Sequence, residues 1–143
     1  MPDIRTVTAD FSVAPQISEA DIAAIAAIGF KTLINNRPDD EVPGQMTDAA
    51  AQAAAQAAGL AYVSIPFVGA PHPAHVEETV TALESHPGPV LAFCRSGTRS
   101  VTVWALAQAV AGAMPPEDII KAAAEAGYDL SPYKLALTRL AGD

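Results

Sequence analysis

The chain of 143 residues contains a single cysteine, Cys94, so no disulfide can form within it and its stability cannot rest on covalent staples. Positive charge is scarce as well: eight Lys and Arg stand against sixteen Asp and Glu, a formal net charge of −8. A surface of that sign repels nucleic acid and anionic membrane, which argues against both as partners. Any anion this protein binds must be held by a local arrangement of donors. No apolar run approaches the length of a bilayer crossing, because Pro, Gly or a charge interrupts each one. No basic segment followed by an apolar stretch opens the sequence, and a cytoplasmic protein is expected. Half of the residues are nonetheless hydrophobic, enough for one ordinary core, so a single domain over residues 1–143 is expected.

Ile4 to Ala14 mix β-branched and aromatic residues with polar ones and end at Pro15, the pattern of a short strand pair or an edge strand. Ser18-Glu19-Ala20-Asp21 reads as a capping box, with Ile17 and Ile22 as a hydrophobic staple, and predicts a helix over about 19–28 closed by Gly29. A strand follows at Phe30 to Asn36, broken by the charged turn Arg37-Pro38-Asp39-Asp40-Glu41. The Ala- and Gln-rich stretch from Thr47 to Ala58 predicts a surface helix, Leu60 to Phe67 a strand, and 74–85 a further helix. Val90 to Phe93 is an unbroken apolar run, as expected of a central parallel strand buried on both faces. From about Arg99 to Gly112 the residues are apolar nearly all round, which predicts a core helix. Two more helices are expected, one after Pro115-Pro116 and one with Ser131 as N-cap and Pro132 at its first position. This alternation predicts an α/β three-layer sandwich, a mostly parallel sheet flanked by helices, which binds ligands beyond the carboxyl ends of its strands. Cys94 stands at such an end.

The segment Cys94-Arg95-Ser96-Gly97-Thr98-Arg99-Ser100 concentrates the chemistry. A thiol at a helix N-terminus feels the positive end of the helix dipole, which favours the reactive thiolate. The backbone N–H groups of Ser96, Gly97, Thr98 and Ser100 can converge on an oxyanion, and glycine permits the conformations this needs. Arg99 can add a planar clamp to an anion above the sulfur, and Arg95 a second charge. Cys94 and Arg99 are thus the candidate catalytic residues, and Arg95, Ser96, Gly97, Thr98 and Ser100 the candidate anion-binding ones. Arg37, Asp39, His72 and His75 are candidates for the pocket rim. The spacing of His72, His75, His86 and Cys94 fits no structural zinc site, so neither a metal nor a cofactor is expected.

The stretch from Phe11 through Val110, with Gln16-Ile17-Ser18, Leu33-Ile34-Asn35-Asn36-Arg37-Pro38-Asp39-Asp40-Glu41, Ile65-Pro66 and Cys94 to Ser100, resembles the beta-lactamase-hydrolase-like family of phosphatase-like domains. The resemblance implies a fold like that of protein-tyrosine and dual-specificity phosphatases. It also implies association with sulfide-oxidation or persulfide enzymes, to which members of the family are attached. Phosphatases of that fold carry glycine three residues after the cysteine, arginine six after it, and then Ser or Thr. Gly97 fits, but Arg99 comes one residue early and Ser100 stands in the arginine's place. The Cys-Arg-x-Gly-x-Arg order resembles instead the shorter active loop of rhodanese-type sulfurtransferases. The loop after the preceding strand, Phe67 to Pro73, also lacks the Asp that such phosphatases use as an acid.

These points favour a sulfurtransferase that carries sulfane sulfur as a Cys94 persulfide, taken from thiosulfate or a small persulfide. With no second cysteine, the acceptor would be an external thiol such as glutathione. A phosphatase working through a phosphocysteine is the second expectation, with a histidine or water as acid. A non-catalytic module that binds an anion or a partner is the third.

Overall fold

The computed structural model describes residues 2–142 as five strands and six helices. β1 (Arg5–Thr8) and β2 (Phe11–Ala14) pair antiparallel, as the expected strand pair. α1 (Glu19–Ala27) opens on a true capping box: the Asp21 N–H donates to Ser18 Oγ at 3.1 Å, and the Ser18 N–H to Asp21 Oδ2 at 2.9 Å. Ile17 and Ile22 flank it and are both buried. β3 (Thr32–Asn35), α2 (Asp48–Ala57), β4 (Ala61–Ser64), α3 (Pro73–Ser85) and β5 (Val90–Phe93) follow in α/β alternation. α4 (Thr98–Ala111), α5 (Pro116–Glu125) and α6 (Lys134–Leu140) complete the fold. None of the described helices is long and apolar enough to cross a membrane.

The strand order is β1-β2-β5-β3-β4, with β2, β5, β3 and β4 parallel and β1 antiparallel at one edge. The apolar run at 90–93 therefore lies in the middle of the sheet, where hydrogen bonds on both sides and helices on both faces remove it from water. Alternate residues of β5 serve different layers. Leu91 and Phe93 pack with Ile22, Ile25, Leu33, Ala51 and Ala55 on the side of α1 and α2. Val90 and Ala92 pack with Val101, Trp104, Ile119 and Leu137 on the side of α3 to α6. Each fully buried Leu or Ile contributes on the order of 1.5–3 kcal/mol, so the two layers hold β5 firmly in register. Trp104 stacks on Phe11 with ring centroids 5.4 Å apart, joining α4 to the hairpin.

Two expectations need correction. α2 is not only a surface helix: Ala51 and Ala55 are fully buried, because methyl side chains let its backbone approach the layer beneath. Ser131 does not cap a helix. It opens a single 3-10 turn, Ser131–Tyr133, and both its N–H and its hydroxyl are taken by Asp129 Oδ1 at 3.0 and 2.6 Å. With the hydroxyl so engaged, α6 starts only at Lys134.

Candidate active site

Cys94 follows β5 directly, and its N–H donates to Ala14 O at 3.4 Å, continuing the pairing with β2 by one residue. The side chain is fully buried. The chain then turns through Arg95 and Ser96 to Gly97, whose φ of 93° lies in the left-handed region that disfavours any residue with a Cβ. That turn brings the Gly97 N–H back onto Cys94 Sγ at 3.1 Å. Gly97 is also the N-cap of α4, so the free N–H groups and dipole of this helix face the loop beside the thiol. Ser96 and Thr98 are exposed and joined by their hydroxyls at 3.0 Å. Arg95 is exposed, and its carbonyl accepts from the Gln16 N–H at 3.2 Å. This bond ties the loop to the segment between β2 and α1.

Arg99 lies in the first turn of α4, and its guanidinium reaches across to Glu41 in a bidentate pair. NH1 donates to Oε2 and NH2 to Oε1, each at 2.8 Å, while NH1 also donates to Phe67 O at 3.0 Å. Arg37 Nε donates to the same Oε1 at 2.7 Å, and Arg37 NH1 to Gln16 Oε1 at 2.8 Å. Glu41 is thus a carboxylate between two guanidiniums. The hydrogen bonds from Arg99 hold its pKa far down, at about 2, with Arg37 adding and burial opposing. Arg99 is pushed up in turn, first by Glu41 and further by its nearness to the Cys94 sulfur.

The other predicted residues have different tasks. Asp39 Oδ1 accepts from the Asp48 N–H at 2.7 Å and so serves the start of α2. Among the acidic residues of that turn, Glu41 is the one that meets the arginines, whereas Asp39 was the one named for the pocket rim. Ser100 is fully buried, and its hydroxyl donates to Asn36 Oδ1 at 2.8 Å. Asn36 in turn donates to Ile65 O at 3.0 Å, so Ser100 belongs to a lattice joining β3, β4 and α4. His72 and His75 begin α3: the His72 N–H donates to His75 Nδ1 at 2.9 Å, and the His75 ring stacks on Phe67. Gln16 and Tyr128 were not anticipated. The Tyr128 hydroxyl donates to Ser96 O at 3.0 Å, and nothing local in the sequence marks it.

The family model of the beta-lactamase hydrolase-like protein, phosphatase-like domain, matches residues 3–113. The chain belongs to that family. A beta-lactamase hydrolase-like protein of Agrobacterium fabrum is 37% identical over 123 residues, covering 83% of this chain and 28% of that protein. The chain thus spans little more than a quarter of the length of such relatives. A crystal structure from Neisseria meningitidis, described as that of a candidate phosphatase, superimposes with a TM-score of 0.81 at 32% identity, over 96% of this chain and 97% of that one. PTPMT1, solved in complex with PI(5)P, is similar in fold at a TM-score of 0.72 and 16% identity, over 96% and 94% of the two chains.

These relatives overturn the expectation of a sulfurtransferase. The family is described as a phosphatase-like domain and the fold is shared with solved phosphatases, which matches the second expectation. The physical reason lies in Arg99. The early arginine suggests a different kind of loop, yet its guanidinium lies near the Cys94 sulfur and is fixed by Glu41 and Phe67 O.

Proposed function

We propose that this domain hydrolyses phosphate monoesters through a phosphocysteine at Cys94. What carries the reading is a buried thiol that accepts a loop N–H at the mouth of a helix, beside a guanidinium already clamped in place. In the first step Cys94 Sγ, as thiolate, attacks phosphorus while the P–O bond to the leaving group breaks. The N–H groups at the start of α4 and the outward face of Arg99 take up the charge on the phosphoryl oxygens. Water then attacks the phosphocysteine, releasing inorganic phosphate and restoring the thiolate.

The leaving oxygen also needs a proton. No carboxylate lies in the loop from Phe67 to Pro73. His75 Nδ1 is already engaged, because it accepts the His72 N–H at 2.9 Å. This reading takes water as the proton source. General acid catalysis typically supplies about 10²–10⁴-fold, so aryl phosphates, whose leaving groups need little protonation, should be much better substrates than alkyl phosphates.

The test is hydrolysis of p-nitrophenyl phosphate by the wild type and Cys94→Ser, with rapid quenching and intact mass. Turnover lost in the variant, together with a transient single phosphoryl adduct in the wild type, supports the reading. Equal turnover in both proteins ends it.

A further inference from the structure

The loop peptide that donates to the cysteine is itself gripped from behind. The Gly97 N–H meets Cys94 Sγ at 3.1 Å, and the carbonyl of the same peptide unit, that of Ser96, accepts from the Tyr128 hydroxyl at 3.0 Å. This peptide is trans, so its C=O and N–H point to opposite sides of one rigid plane. A hydrogen bond at the oxygen polarises the amide and strengthens the donor at its other end. Tyr128 lies beyond the span 3–113 that the family model matches. It is set by the end of α5, where its N–H donates to Ala123 O at 2.9 Å, and by Arg5, whose guanidinium lies 5.6 Å over its ring. The fit at the loop is close: a Cβ on Gly97 would stand 2.1 Å from the Tyr128 hydroxyl oxygen.

We propose that Tyr128 is a positioning residue for the nucleophile: by holding the Ser96–Gly97 peptide, it aims the Gly97 N–H at Cys94 and stabilises the charged sulfur. Burial raises the pKa of the phenol, so it stays a donor through the neutral range. The other charged groups around the pair are Arg99, with Glu41 behind it on one side, and Arg5 with Asp3 on the other. Tyr128→Phe leaves all of them in place and keeps the ring packing.

The role rests on the phosphatase reading only for the use made of the thiolate, so the test addresses the sulfur itself. Alkylation of Cys94 by iodoacetamide is followed from about pH 6 to pH 10 in the wild type and Tyr128→Phe, with thermal melts to show that both are folded. At the acidic end the variant should react about three- to ten-fold more slowly, the worth of one hydrogen bond, and the difference should shrink steadily as the pH rises. Equal rates at every pH overturn the proposal. So does a variant that is slower by the same factor throughout, which would mean altered access. In the wild type alone, the Gly97 amide proton and the Tyr128 ring resonances should shift with the same midpoint as the thiol, and a Tyr128 signal that ignores that midpoint also overturns it. If the wild type shows no phosphatase turnover while the alkylation difference stands, the functional reading fails and the role of Tyr128 survives.

Discussion

Glu41→Gln tests the centre of the site, because one carboxylate there accepts three charge-assisted hydrogen bonds from two arginines. Its pKa falls from an ordinary 4.5 to about 2 in the folded protein. A group depressed in this way contributes stability that is complete above its unfolded value and is lost as pH falls toward its folded one. The full shift corresponds to about 3 kcal/mol at neutral pH. The Glu41 side chain keeps 20% of its surface in water, so screening reduces this to roughly 1–2 kcal/mol. The variant adds a cost of its own by leaving Arg37, whose side chain is 4% exposed, without its anion. Urea titrations of both proteins at about pH 7 and pH 3 measure the difference, in which the other carboxylates cancel. At pH 7 the variant should be less stable by roughly 2 kcal/mol or more. More than half of the carboxylate's share should vanish at pH 3, because the unfolded wild-type chain then binds a proton at Glu41 that the folded carboxylate still refuses. A difference that is the same at both pH values, or absent at pH 7, would refute the account of Glu41 as the shared anion.

Arg99→Lys keeps the charge but cannot reach both Glu41 oxygens and Phe67 O together, so kcat/KM on an aryl phosphate should fall by about 10²-fold while the fold persists. Steady-state kinetics with a melting curve checks this, and a loss below about five-fold would contradict the role given to the guanidinium. Asp39→Ala should do the reverse: about 1 kcal/mol of stability is lost with the hydrogen bond to Asp48, and turnover stays within about two-fold. A large fall in kcat/KM for that variant would return Asp39 to the pocket rim.

Much of the fold was legible because it depends on patterns a few residues long. The capping box at Ser18 and Asp21 and the apolar run at Val90 to Phe93 each state their structure within a single turn or strand. Cys94 was legible for the same reason, since its place at the end of a buried strand follows from that run. Ser131 shows where local reading fails: its hydroxyl had two possible partners, and the carboxylate of Asp129 took it. The roles of Tyr128 and Gln16 were not legible because they lie in contacts made through space, 32 and 21 residues away in the chain. Glu41 was visible as one of three acids in a turn, and only the fold shows which of them faces Arg99.

The spacing of the active loop misled most, and the structure explains why. One residue along a helix turns a side chain by about 100°, so an arginine at 99 and one at 100 leave α4 in different directions. Position 100 points inward here: Ser100 is fully buried against Asn36, which is already bonded to Ile65 O. A guanidinium there would lose its water and meet one amide oxygen, without a carboxylate to offset the cost. Position 99 points toward Glu41 and Phe67 O, which satisfy the inner side of the guanidinium and fix its plane. Arg37 holds Glu41 in turn and is itself held by Gln16. A short loop with its arginine one residue early can therefore present the same charge beside the cysteine, provided an acid outside the loop supplies the geometry. The count of residues between Cys94 and Arg99 is a property of the chain, whereas the place of the guanidinium is a property of Glu41.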